Sequence, residues 1–178
     1  MGEVKNSILK VGSGLGIGSY SFSGTSRAYP GYHGYFSFVR RVGGKTGFFL
    51  GVSGETFKFK GLRPRQGSSF SEKGYEDIEE NAVGAGLCLL AYIKGIQAGL
   101  TLTSGRIDSS DGIEVAHRSK YLGGKARIGV SLYQSEGAEV DIGFTYSLRS
   151  GEEKWKNQLG FDQFSVFAID MSLSLFES

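Results

Sequence analysis

Between residues 85 and 103 apolar side chains alternate with small or polar ones, and the alternation reverses once, at Lys94-Gly95. Read as a two-residue hairpin turn, Lys94-Gly95 sets Ile93 against Ile96, Ala91 against Ala98, Leu89 against Leu100 and Leu87 against Leu102, all on one side. The other side collects Gly86, Cys88, Leu90 and Tyr92 with Gln97, Gly99, Thr101 and Thr103, which is small and mostly polar. A ribbon with one wholly apolar face must bury that face in something. Helices are a poor alternative, because 29 of the 178 residues are glycine, and each costs about 1 kcal/mol in a helix relative to alanine.

The unit recurs. Over Tyr121 to Leu148, with a turn near Gln134-Ser135-Glu136-Gly137, the even positions Leu122, Gly124, Ala126, Ile128, Val130 and Leu132 continue as Ala138, Val140, Ile142, Phe144, Tyr146 and Leu148. The odd positions are glycine, serine, threonine and charge: Lys125, Arg127, Glu139, Asp141 and Arg149 among them. A third hairpin turns at Gly43-Gly44-Lys45, where a three-residue loop sets Phe36 and Phe38 on the face of Phe48, Leu50 and Val52. The first strand alternates Leu9, Val11, Leu15 and Ile17 with Lys10, Gly12, Gly14, Gly16 and Gly18, and the last alternates Phe167, Ile169, Met171, Leu173 and Leu175 with Ala168, Asp170, Ser172 and Ser174.

Eight strands of roughly 9 to 12 residues follow, the length a tilted strand needs to cross a bilayer. Tight turns follow strands two, four and six. Longer polar connections follow the others, at about residues 20–32, 58–81, 106–118 and 150–161. The expectation is therefore one all-β domain over residues 1–178: an eight-stranded antiparallel up-and-down transmembrane β-barrel with short turns on one rim and long loops on the other.

A soluble barrel of the lipocalin type, apolar face inward, would alternate in the same way. Glycine weighs against it. A water-facing strand has little use for glycine, which weakens it, whereas inside a narrow barrel glycine makes room for large neighbours. Gly12, Gly14, Gly16 and Gly18 read as such a floor, on which Tyr, Phe or Arg side chains from across the lumen can lie. The lipocalin Gly-x-Trp and terminal helix are also missing from the sequence.

Other classes fall away on composition. The longest apolar stretch, around Leu87 to Ile93, is too short for a spanning helix. Cys88 is the single cysteine, so neither an internal disulfide nor a Cys-based zinc site is expected. A net charge of +2 with a pI near 8.6 gives no reason to expect a nucleic-acid partner. Gly12-Ser13-Gly14-Leu15-Gly16 lacks the Lys-Ser/Thr ending of a phosphate loop. Neither a cofactor nor a metal site is expected. The start, Met1 to Lys5, carries no apolar signal-type segment.

In strand pattern, turn alternation and an apolar final strand from Phe167 to Phe176, the chain resembles small eight-stranded outer-membrane proteins of the OmpA and OmpX type. The resemblance implies a monomer in an outer membrane, bacterial in preference to organellar, with membrane lipid and lipopolysaccharide as partners.

Three groups of residues are candidates for function. Lys10, Glu55, Lys125, Arg127, Glu139, Asp141, Arg149 and Asp170 are expected to point inward, four basic and four acidic, with Arg127 diagonal to Asp141. They form a packed polar core or, in the competing reading, a narrow ion path. An eight-stranded barrel is just wide enough for its side chains to fill, which favours the packed core. Lys58, Lys60, Arg63 and Arg65, interleaved with Phe57 and Phe59, sit where lipid phosphates would lie. His117-Arg118-Ser119 places an imidazole and a hydroxyl two apart, on one strand face, with Asp108, Asp111 or Glu114 available to orient the ring. This resembles the His-x-Ser of the PagL lipid A deacylases, which implies a lipid A-modifying hydrolase as the alternative function. That family continues with Asn-Ala-Gly where this chain has Lys120-Tyr121-Leu122. Surface histidine is the simpler reading of His117, and His33 has no evident partner. Tyr20, Tyr32, Tyr35, Phe57, Tyr121, Tyr146, Trp155 and Phe161 read as an aromatic girdle on the long-loop side. The role expected is noncatalytic: structural support, or surface interaction through the loops.

Overall fold

The computed structural model describes residues 6–22, 25–42, 47–64, 75–93, 95–110, 115–151 and 163–177. They form one closed antiparallel barrel, each strand bonded to its sequence neighbours and the last to the first. The strands are β1 (Ser7–Phe22), β2 (Thr25–Arg41), β3 (Phe48–Pro64), β4 (Tyr75–Ile93), β5 (Ile96–Ser110), β6 (Val115–Gln134), β7 (Ala138–Gly151) and β8 (Gln163–Glu177).

The registers follow from the sequence period. Ile93 pairs with Ile96, Leu89 with Leu100 and Leu87 with Leu102. The tight turn between them has Gly95 at φ 82°, a left-handed backbone that a side chain disfavours. Phe38 pairs with Val52 and Arg40 with Leu50, a register two residues away from the one a three-residue loop at Gly43-Gly44-Lys45 would set; a shift of two keeps the parity, so Phe36, Phe38, Phe48, Leu50 and Val52 share the outward face. A bulge at Ser131/Tyr133 ends the strict alternation of β6 beside its turn.

The apolar face points outward. Leu89, Leu100, Ile128 and Ile142 are 42%, 61%, 54% and 37% exposed, and every strand adds to the same belt, from Leu15 on β1 to Met171 on β8. A soluble monomer rarely carries an apolar surface this continuous, and the belt matches the lipid-facing band of a transmembrane barrel.

Two sequence expectations need correction. The strands run 14 to 20 residues rather than 9 to 12, and they absorb much of what reads as loop: β1 and β2 reach Phe22 and Thr25, β3 and β4 reach Pro64 and Tyr75, and β5 and β6 reach Ser110 and Val115. The bilayer sets a minimum length only. Beyond it the outward face meets water, so the strand turns polar and takes on a loop's composition. Secondly, Tyr35, Phe57 and Tyr121 are buried inside the barrel and belong to no girdle. Their place in the alternation, at odd positions of β2, β3 and β6, dictates this. Tyr32 and Tyr146 do face outward, the side chain of Tyr20 is not described, and Trp155 and Phe161 lie outside the described residues.

Inside, an aromatic and aliphatic cluster of Phe57, Phe59, Ala82, Ile107, Tyr121, Phe164, Val166 and Ala168 fills the end nearer the long connections. A smaller one of Ile8, Val39, Phe49, Cys88 and Leu90 lies toward the short turns. The charged residues occupy the level between them.

Candidate functional site

The barrel walls bring all eight inward-pointing charges into the lumen. Seven are buried, and the side chain of Arg127 is only 8% exposed. They divide into two nodes. In the upper one Glu55 of β3 accepts from Arg149 Nη2 at 2.8 Å and Tyr121 Oη at 3.2 Å, and pairs with Lys125 Nζ at 3.1 Å. The Arg149 guanidinium lies 3.8 Å from the Phe57 ring centroid, so the cation is held between a carboxylate and an aromatic face.

The lower node is built on Asp141 of β7 and Asp170 of β8. Lys10 Nζ pairs with Asp141 at 2.7 Å, and Arg127 bridges both carboxylates, reaching Asp170 through Nε at 2.7 Å and Nη2 at 2.6 Å. Hydroxyls fill the remaining acceptor positions: Ser172 donates to Asp141 at 2.6 Å, while Thr145 and Tyr35 donate to Asp170 at 2.6 Å and 3.0 Å. Glu139 joins this node indirectly. Lys10 donates to Gln97, Gln97 Nε2 donates to Glu139 at 2.6 Å, Tyr92 Oη donates to Glu139, and Gln134 donates to Tyr92 at 2.9 Å, at the short-turn rim.

Glycine supplies the room. Arg127 lies across Gly129 and Gly143, where any added Cβ would collide with its guanidinium. Tyr35 lies over Gly12, and Phe59 over Gly18 and Gly31. The floor on β1 therefore exists, with one difference from the expectation: Tyr35 comes from the adjoining strand, directly opposite Gly12, not from across the lumen. Gly14 and Gly16 instead face the close backbone of β8.

Taking charges out of water is costly unless each is paired and hydrogen-bonded. Within the two nodes four cations face four anions, and each charged group has at least one ionic or hydrogen-bonding partner among the described residues. Residues outside the sequence expectation complete the lumen. His33 is buried between Tyr35 and Phe57, ring centroids 5.8 Å and 5.4 Å away, with Nε2 3.7 Å from Asp170. Glu80, within the 58–81 segment that reads as a polar connection, is buried on β4. Extending the inward parity of Ala82 and Gly84 by one step would have found it.

The other candidates are placed differently. Ser119 faces the lumen, buried opposite Ile107, and its hydroxyl has no hydrogen-bond partner among the described residues. Asp108 points outward, bonded to Arg118 at 2.8 Å, so it cannot orient a ring on the Ser119 face. The side chain of His117 is not described, and Asp111 and Glu114 lie outside the described residues. On β3, Lys58 pairs with Glu79 of β4, and Lys60 lies 3.7 Å from the same carboxylate. Arg63 continues that strand with its side chain undescribed, and Arg65 lies outside the described residues. Among the described residues no cluster of His, Cys, Asp or Glu is arranged to hold a metal.

The closed eight-stranded topology and the outward apolar belt are those of the small outer-membrane β-barrels. Among solved structures, Neisserial surface protein A matches over 94% of this chain and 96% of its own, at 13% identity and a TM-score of 0.55. The outer membrane protein OprG from Pseudomonas aeruginosa matches over 99% and 98%, at 11% identity and a TM-score of 0.50. At such identities the likeness is one of fold. No protein-family model and no curated protein matches the chain.

Proposed function

We propose that this chain is a noncatalytic, monomeric barrel of a bacterial outer membrane, supporting the bilayer and meeting partners through the loop-bearing rim. One observation carries the reading: among the described residues paired charge links β1, β3, β6, β7 and β8 across the lumen, with an aromatic cluster above it, which supports a packed interior over a pore. Ser119 inside the wall, away from lipid, weighs against the hydrolase alternative. Lys60, with its side chain 78% exposed, is the cation of the β3 group best placed to meet a lipid phosphate.

Planar-bilayer recording tests the filled lumen. The expected result is no steady conductance, and a stable open state would overturn the reading. Heat-modifiable gel migration in detergent tests the membrane fold itself, since a folded barrel shifts on boiling. Lipid A from cells overproducing the chain is expected to keep its acylation pattern by mass spectrometry, and loss of an acyl chain would make the protein a hydrolase.

A further inference from the structure

The outer wall is uneven in a way the lumen does not explain. On β6, Gly124 and Ala126 face outward between larger neighbours: Gly124 pairs with Leu102 and Leu148, and Ala126 with Leu100 and Tyr146. A Cβ at Gly124 would have nothing within 4 Å. The result is an apolar depression of about 580 Å³ lined by residues from Leu50 on β3 to Tyr146 on β7, an arc of about 19 Å along the curved wall at the usual strand spacing. Directly above it, toward the long-loop rim, the same outward face turns basic. Arg106 and Lys120 stand opposite each other in register, an arrangement of like charges that destabilises a strand pair when nothing lies between them. Asp108 serves Arg106 at 3.3 Å and Arg118 at 2.8 Å, and among the described residues Lys120 has no carboxylate partner.

We infer that this face is a specific lipid site, which takes a phosphorylated, multiply acylated glycolipid of the lipid A type: phosphate between Arg106, Arg118 and Lys120, acyl chains over Gly124 and Ala126. The inference rests on the membrane reading above. Among the described residues three cations face one carboxylate, an excess of two positive charges that suits a doubly phosphorylated headgroup. The depression is lined from five strands, which offers apolar wall to several acyl chains at once. Lys120 lies four residues from Gly124, about 13 Å along the strand, so headgroup and chains are addressed by one molecule. The β3 cations are less suited, because Glu79 already engages both Lys58 and Lys60.

The test uses the full chain, refolded without lipid in detergent, given bis-phosphorylated lipid A and read by native mass spectrometry. The wild type is expected to retain one lipid A per barrel and to prefer it to phosphatidylglycerol. Gly124→Phe fills open space and should lower retention about tenfold, as should Arg106→Gln with Lys120→Gln, each a loss comparable to one or two surface charge contacts. Dephosphorylated lipid A should behave on wild type as the intact lipid does on the charge variant. Equal retention by Gly124→Phe, or equal retention of phosphatidylglycerol, overturns the site. Heat-modifiable migration is recorded for every sample. A chain that never shifts defeats the membrane reading, and a chain that shifts normally yet holds no lipid A defeats only this inference.

Discussion

The two charged nodes of the lumen solve the same problem in different ways. At the Glu55 node, nearer the long-loop end, two cations share one carboxylate under aromatic rings, and Arg149 is 1% exposed. At the Asp141–Asp170 node, the carboxylates are shared by Lys10 and Arg127, and a chain through Gln97, Glu139 and Tyr92 continues to Gln134 at the short-turn rim. The upper node is sealed and depends on few partners. The lower node is redundant and grades into water. A buried ion pair is strongly destabilised when one member is removed, because its partner remains charged and unsatisfied, so redundancy should decide how much each substitution costs.

The largest effect is expected at Arg149. Arg149→Met removes at once the ion pair to Glu55 and the guanidinium held on the Phe57 ring, and should destabilise the barrel by about 3–5 kcal/mol, measured by urea unfolding in lipid vesicles with the gel-shift readout. A loss under about 1 kcal/mol would break the comparison. Asp170→Asn comes next. The amide keeps hydrogen-bonding capacity toward Tyr35 and Thr145, and Arg127 retains Asp141, so the loss should be smaller, about 2–3 kcal/mol in the same assay. Gly143→Val pushes the guanidinium of Arg127 off its floor and should cost about 1–3 kcal/mol as overpacking; reversal by a second change, Arg127→Gln, would tie the cost to that contact. Tyr92→Phe is the mildest, about 0.5–1.5 kcal/mol, because both residues bonded to its hydroxyl lie near the rim and Gln134 is exposed to water. If Tyr92→Phe cost as much as Arg149→Met, the lower node would be as sealed as the upper.

Local chemistry in this barrel is written plainly in the sequence, and long-range chemistry is not. Period-two alternation and a Lys-Gly turn suffice to place Leu89 opposite Leu100, because hairpin neighbours are fixed by parity and turn length. The same parity puts the eight charges inside, and it brings Arg127 to Asp141 on adjacent strands. It cannot say that Arg149 reaches Glu55, or Lys10 reaches Asp141, since those pairs are 94 and 131 residues apart. Contacts between non-neighbouring strands depend on barrel tilt and stagger, which no single hairpin encodes. His33 illustrates the gap: its inward position is readable, but its seat between Tyr35 and Phe57 beside Asp170 is not. Strand ends were obscured for a different reason, because polar strand above a membrane and polar loop share a composition.

The closing seam between β1 and β8 joins Ser7 to Glu177, the outer ends of the first and last strands of the barrel. Until the final segment has emerged, the first has an unmatched row of amides that hydrocarbon cannot solvate, so a nascent fragment has no stable resting place in lipid. Insertion must therefore await synthesis of β8, and loss of that strand alone should abolish assembly outright instead of yielding a smaller, seven-stranded ring.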